Sequence, residues 1–331
     1  MSPIFSNSRN YIFLAIIISV CAAVVFLSSF LYTPYVTKKI VYTTNENSDG
    51  EPESSISVDA KLYFPKDAQF PLSLVIIVPS SGGIEAEREI YYATEFAKVG
   101  IASLLIDSFQ SRGLTNSLYD QSQLETWQIE KDAYAALRYI LQDKRFKSDK
   151  IAITGVSKGG TVAMDTALLV RKGWAGIGDI NFSAHIAISP DCNWVTSSNK
   201  TTGKPVLFLL AELDDQTPPE ACLQKAKAMH QGGNKAIETK VYEDAHHAWE
   251  ELGWYPDYDP NIENYAKCRV SIEDDGTMIA AETGESVPED DWHTWAKQNC
   301  MTLGGKCCGG SRQLKKQATR DIIEFLQKHG F

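Results

Sequence analysis

Ser157 sits within Gly155-Val156-Ser157-Lys158-Gly159, and it is followed along the chain by an aspartate pair, Asp214-Asp215, and a histidine pair, His246-His247. These residue types cooperate in acyl transfer. A serine hydroxyl is a weak nucleophile at neutral pH, so it needs a base within hydrogen-bond reach, and the base needs an acid to orient it. The glycines fit the same chemistry, because a nucleophile on a tight turn between a strand and a helix tolerates only small neighbours. A pentapeptide of this kind also arises by chance, so the surrounding segments must carry the inference.

Of the six histidines, His230 and His329 fall in or at the ends of helical patterns, His185 lies in an apolar strand, and His293 lies in a late insertion. His246 and His247 follow the last strand candidate, where a base belongs. Metal binding by the adjacent pair is the competing reading, but ligands at suitable spacing are missing nearby, and no metal or organic cofactor is expected. The aspartates lie just past a strand end, in Ala211-Glu212-Leu213-Asp214-Asp215-Gln216-Thr217-Pro218. A helix beginning at Lys158 points free N–H groups and a positive dipole at the serine, so the Lys158 amide is one candidate oxyanion donor. The second is expected from the turn Pro79-Ser80-Ser81-Gly82-Gly83, with the Ser81 amide favoured and Gly82 as the alternative. Arg112, on a loop at a strand end, is a candidate for binding a substrate carboxylate or phosphate, and equally for an ion pair that orders its loop.

Composition narrows the classes. The chain has 331 residues and a net charge of -10, which argues against a nucleic-acid surface built from clustered lysine and arginine. Tyr11 to Tyr32 contains no charged residue and is long enough to cross a hydrocarbon core, so residues 11–32 read as an uncleaved anchor or a signal peptide after a short tail, 1–10. Residues 33–55, polar from Thr43 onward, read as a linker, with the folded domain spanning 56–331. Beyond Cys21 there are six cysteines, four of them in the C-terminal part. That number permits disulfides and an oxidising compartment, so the catalytic domain is expected outside the cytoplasm, in the periplasm if the source is bacterial. At least one bridge involving Cys268 and Cys300 is expected, with Cys192 and Cys222 as free buried thiols.

Short β-rich runs alternate with helical patterns, the signature of a mainly parallel sheet with crossover helices. Strands are predicted at Leu72 to Val78, Ile101 to Ile106, Ile151 to Thr154, Ala184 to Ser189, Val206 to Leu210 and Thr239 to Tyr242. Helices are predicted at Glu85 to Lys98, Leu124 to Leu141, Lys158 to Val170, Pro219 to Met229 and Gln313 to Lys328. An insertion rich in Trp, Tyr and Cys, at about 250–312, starts directly after the histidines and reads either as surface embellishment or as a cover over the pocket.

From about Leu72 to the last helix the chain resembles the dienelactone hydrolase family. The similarity rests on Asp107-Ser108-Phe109-Gln110-Ser111-Arg112-Gly113, on Asp132-Ala133-Tyr134-Ala135-Ala136-Leu137 and on Gly155 to Gly160. It rests also on the Asp-x-x-x-Pro setting of Asp214 and the Tyr-x-x-Ala-x-His-x-aromatic setting of His247. The resemblance implies an α/β-hydrolase fold with a mainly parallel central sheet flanked by helices. It also implies Ser157 as nucleophile, Asp214 as acid and His247 as base. The family's founding enzymes carry a cysteine nucleophile, so Ser157 implies an esterase or lactonase acting on a small-molecule substrate other than the namesake. A peptidase, an acyltransferase or a non-catalytic binding protein are the alternatives.

Overall fold

The computed structural model describes residues 34–45, 54–253, 255–288 and 291–331. Its centre is an eight-stranded sheet. In chain order the first strands are β1 (Tyr35–Asn45), β2 (Ser55–Pro65), β3 (Leu72–Val78), β4 (Ala102–Asp107), β5 (Phe146–Val156) and β6 (Ala184–Ile188). A short β7 (Trp194–Thr196) lies in another sheet, and β8 (Val206–Ala211) and β9 (Ile237–Tyr242) complete the main one. The spatial order is β1-β2-β4-β3-β5-β6-β8-β9. Strands β1 and β2 pair antiparallel, as do β2 and β4, and every pairing from β4 to β9 is parallel. This is an α/β-hydrolase-like fold.

Parallel neighbours need crossovers, and helices supply them. They are α1 (Glu89–Lys98), α2 (Thr126–Leu141), α3 (Lys158–Asp165), α4 (Leu169–Trp174), α5 (Pro219–Gln231), α6 (Trp292–Asn299) and α7 (Arg312–Lys328). Side chains alternate faces along a strand, and β3 shows what that does here. Leu74, Ile76 and Val78 pack with Ile129, Ala133, Leu137 and Ile140 of α2. Val75 and Ile77 pack on the opposite face with Tyr92 and Phe96 of α1 and Ile322, Phe325 and Leu326 of α7. Both faces are covered, which accounts for the unbroken apolar run of β3.

The linker expected at 33–55 gives way, among the described residues, to β1. Its inward positions Ile40, Tyr42 and Thr44 are buried, while Lys39, Val41 and Thr43 between them face water. An edge strand with one wet face reads as polar, and this concealed its period of two. The helix expected from Glu85 begins at Glu89, because Arg88 leaves helical geometry and its guanidinium reaches Glu89, Glu251 and the Gly83 carbonyl. The helix expected over Lys158 to Val170 breaks into α3 and α4, where Leu168 turns extended.

The described residues of the insertion form regular structure. Within it β10 (Asp257–Asn264) pairs antiparallel with β14 (Thr302–Cys307). Strands β11 (Val270–Ile272), β12 (Met278–Ala280) and β13 (Ser286–Val287) extend from β7 into a four-stranded sheet. Cys268 and Cys300 form a disulfide, as expected. Cys192 and Cys222 are bonded to each other as well, against the expectation of free thiols, since α5 folds back to bring its first turn beside the loop after β6. Cys307 and Cys308 are free. Among the described residues no helix is long and apolar enough to cross a membrane. The apolar segment Tyr11 to Tyr32 lies outside the described residues.

Candidate active site

Strand β5 ends at Val156, α3 begins at Lys158, and Ser157 makes the turn between them at φ 57°, ψ -122°. A non-glycine residue held there costs of order 1–3 kcal/mol and persists only where its surroundings over-determine it. The glycines show how they do. A Cβ on Gly155 would stand 2.5 Å from the Gly159 carbonyl carbon, one on Gly159 2.7 Å from the Val78 oxygen, and one on Gly160 2.4 Å from the Ile188 oxygen. Backbone therefore rests on backbone around the serine. The Ser157 N–H donates to the Ile188 carbonyl of β6 at 2.9 Å, and the Thr161 N–H donates to the Ser157 carbonyl at 2.9 Å.

Asp214 follows β8 and His247 follows β9, so both arrive at the end of the sheet where β5 delivers Ser157. His247 Nδ1 lies 2.8 Å from Asp214 Oδ2, and both residues are buried. Asp214 Oδ1 accepts the Gln216 and Thr217 N–H groups at 3.0 and 2.8 Å, and the Thr217 hydroxyl donates to Oδ2 at 2.8 Å. Burial works to raise the Asp214 pKa, but the attraction of His247 and these hydrogen bonds outweigh it and leave the carboxyl below its usual range. Burial likewise works to lower the His247 pKa, and the Asp214 charge and hydrogen bond leave it raised. An ionised Asp214 only accepts, so Nδ1 carries the proton and Nε2 is left as the basic nitrogen. Ser157 Oγ and the His247 ring share no hydrogen bond among the described residues, and such contacts commonly tighten only when substrate is bound.

The neighbours of the pair are distinguished sharply. His246 Nδ1 donates to the Leu213 carbonyl at 3.1 Å, away from Asp214. Asp215 accepts the Lys306 N–H at 2.9 Å through its side chain and an Asn264 amide at 3.0 Å through its carbonyl, so it anchors the insertion. In the turn after β3 the Gly82 N–H is taken by Ser80 Oγ at 3.2 Å and the Gly83 N–H by the Ser80 carbonyl at 3.0 Å. Ser80 itself donates to Glu89 at 3.4 Å. The Ser81 amide has no acceptor among the described residues, and neither has the Lys158 amide at the first position of α3.

A cavity of about 90 Å³ opens at Ser157. Thr217 lines it as well, which ties it to the Asp214–His247 pair. Much of its wall comes from elsewhere. Glu263, Asn264, Tyr265, Trp292 and His293 belong to the insertion, Asp191 to the loop after β6 and Trp194 to the start of β7. The insertion is thus a cover over the pocket. None of these seven stood out in the sequence as a site residue. Only the position of the insertion, directly after the histidines, pointed their way.

A model of the dienelactone hydrolase family matches residues 58–270. The chain belongs to that family. As a family member it is a hydrolase of ester bonds. Over 190 residues it is 28% identical to a Bradyrhizobium protein described as a probable 2-oxo-3-(5-oxofuran-2-ylidene)propanoate lactonase, covering 54% of this chain and 74% of that one. Similar solved structures include esterase 2 of Thermogutta terrifontis, 15% identical with a TM-score of 0.45, covering 62% of this chain and 82% of that one. Another is an esterase of the archaeon Pyrobaculum calidifontis, 18% identical with a TM-score of 0.46, covering 65% of this chain and 76% of that one.

One residue singled out for its place at a strand end lies elsewhere. Arg112, a candidate for binding substrate, does not line the Ser157 cavity. Its two terminal nitrogens meet Asp132 Oδ2 and Oδ1 at 2.8 and 3.1 Å, and one also donates to the Ser108 carbonyl at 2.8 Å. The guanidinium side chain is 7% exposed and Asp132 is fully buried, so this pair orders the loop after β4. In this dienelactone hydrolase family member Arg112 takes the second of its two expected roles, the ion pair that orders its loop.

Proposed function

We propose that the chain is a serine esterase or lactonase working through Ser157, His247 and Asp214. His247 Nε2 takes the hydroxyl proton as Ser157 Oγ attacks the carbonyl carbon of an ester or lactone. The tetrahedral oxyanion is held by the Ser81 and Lys158 amides, whose donors have no other use and sit beside the positive end of α3. The intermediate collapses, His247 passes its proton to the departing alkoxide, and water admitted by the same base releases the acid from the acyl-enzyme. The observation that carries this reading is Ser157 itself, a serine fixed at positive φ by three glycines that leave no room for a Cβ. The lactonase relative supports the substrate class. Labelling by a neutral fluorophosphonate tests the proposal: Ser157 is modified, labelling disappears in Ser157→Ala and falls sharply in His247→Ala. A protein that does not react overturns it.

We infer further that Tyr11 to Tyr32 anchors the enzyme in a membrane with the domain on the oxidising side. The bonds Cys192–Cys222 and Cys268–Cys300 support that side, because cytoplasmic thiols are kept reduced. Alkaline extraction of membranes leaves the protein in the pellet, and a C-terminal reporter active only in the cytoplasm overturns the orientation.

A further inference from the structure

The wall of the Ser157 cavity carries a charge distribution that selects among acyl groups. Two basic side chains face it, and both are already in use. Lys158 Nζ donates to the Leu124 carbonyl at 2.6 Å and to the Gln121 carbonyl and Ser117 Oγ at 3.2 Å, which exhausts the three donors of an ammonium. Burial pushes its pKa down to about 8, against the pull of Glu125 and Glu263. His293 is occupied on both nitrogens, Nε2 by Glu125 at 2.6 Å and Nδ1 by the Tyr265 hydroxyl at 3.0 Å. Arg112 is sealed away with Asp132. Among the described residues, a substrate carboxylate entering this cavity meets no cation with a free donor.

The carboxylates are not balanced in the same way. Glu125 is hydrogen-bonded to His293, and Glu263 accepts Lys297 Nζ at 2.9 Å, the Tyr265 hydroxyl at 2.8 Å and the Gln121 N–H at 2.7 Å. Asp191 forms no ion pair among the described residues. Its Oδ1 accepts the Asn193 N–H at 2.9 Å, and its backbone N–H donates to Thr161 Oγ1 at 2.8 Å, which fixes the residue on the cavity wall next to α3. Burial pushes its carboxyl up to about 6, the Asn193 amide and a hydrogen bond from the Trp194 side chain pull the other way, and the negative charges of Asp165 and Asp214 add to the rise. Aromatic rings complete that wall: Trp194 and Trp292 meet edge to face with centroids 4.6 Å apart, and Tyr265 lies 5.4 Å from Trp292. A carboxylate with no ion pair beside several aromatic rings is the composition that recognises an ammonium ion.

We propose that the enzyme selects esters or lactones whose acyl part carries an ammonium group, which Asp191 binds against Trp194 and Trp292. This rests on the reading of Ser157 as nucleophile. The size agrees, since a cavity of about 90 Å³ has room for a short aminoacyl chain.

Three acyl groups that share a four-atom chain test it, each as an aryl ester and as a non-hydrolysable primary amide: β-alanyl, butanoyl and hemisuccinyl. Among the esters, kcat/KM is expected to be about tenfold or more higher for β-alanyl than for butanoyl, and lowest for hemisuccinyl. Among the amides, titration followed by NMR gives the same ranking of affinities without any turnover. In Asp191→Asn the ratio of β-alanyl to butanoyl falls toward one in both series, while fluorophosphonate labelling of Ser157 reports that the variant is folded. Equal treatment of β-alanyl and butanoyl, a preference for hemisuccinyl, or a ratio that survives Asp191→Asn overturns the proposal. Failure of the Ser157 reading appears separately, as absent labelling and absent turnover beside an intact ranking of the amides.

Discussion

The two halves of the candidate site are built on different principles. The serine turn is made from contiguous residues, Gly155 to Gly160, pressed against Val78 and Ile188 by contacts of backbone on backbone. The opposite wall is gathered from residues far apart in the chain, from Asp191 and Trp194 through Glu263 and Tyr265 to Trp292 and His293. It is held by the Cys268–Cys300 bond, by the pairing of β7 with β11 and by the Lys297–Glu263 ion pair. Reaction type is written locally, in a stretch where almost no side chain fits. Acyl selection is written at long range, in side chains that can vary while the turn stays as it is.

This contrast is tested first on the side where the largest effects are expected. Ser157→Ala lowers kcat by roughly 10⁴-fold or more, with folding retained by circular dichroism; a residual rate within tenfold of the parent would remove the serine from the mechanism. Asp214→Asn keeps the geometry yet lowers kcat by about 10³- to 10⁴-fold, because the amide no longer holds His247 in the tautomer that leaves Nε2 basic. The same pair sets the pH profile. A protonated His247 cannot accept the serine proton, and its pKa is raised, so kcat/KM falls as pH drops through a limb lying above the ordinary imidazole value of about 6.5. A limb at or below that value breaks the assignment.

Smaller effects separate fold from site. Arg112→Ala strands the buried Asp132 carboxylate and is expected to cost about 3–5 kcal/mol of stability in denaturant unfolding. Selectivity between acyl groups, measured on protein that remains folded, stays as in the parent. A specific loss of affinity for anionic esters would return Arg112 to the pocket. The paired substitution Cys268→Ser, Cys300→Ser removes a cross-link spanning 32 residues and is expected to cost about 3 kcal/mol. It loosens the wall more than the turn. Ser157 labelling therefore persists while the discrimination between acyl groups narrows.

The parts of the molecule that were legible in the sequence share a physical cause. Strand β3 ends where its apolar run ends, because burial on both faces leaves no ambiguity about which residues belong to it. The pairing of Asp214 with His247, and not Asp215 with His246, follows the family resemblance, and the geometry explains it: Asp215 and His246 are engaged with Lys306 and Leu213. What stayed hidden was whatever depends on distant partners. Strand β1 looked like linker because half of its side chains face water. Cys192 looked like an isolated thiol because its partner Cys222 comes from the far side of β8. Asp191 carried no signal at all, since its isolation from cations is a property of the assembled wall.

The C-terminal end of the insertion is bound to the histidine loop itself. The Cys308 N–H donates to the His247 carbonyl at 2.7 Å, the Gly310 N–H to the Glu251 carbonyl at 3.1 Å, and a Cβ on Gly310 would collide with the Trp249 oxygen. The cover is therefore no detachable cassette. Transplanting a different wall onto this scaffold requires splicing between β10 and β14 while sparing residues 307–310, since a cut beyond them takes away the seam on which His247 is mounted.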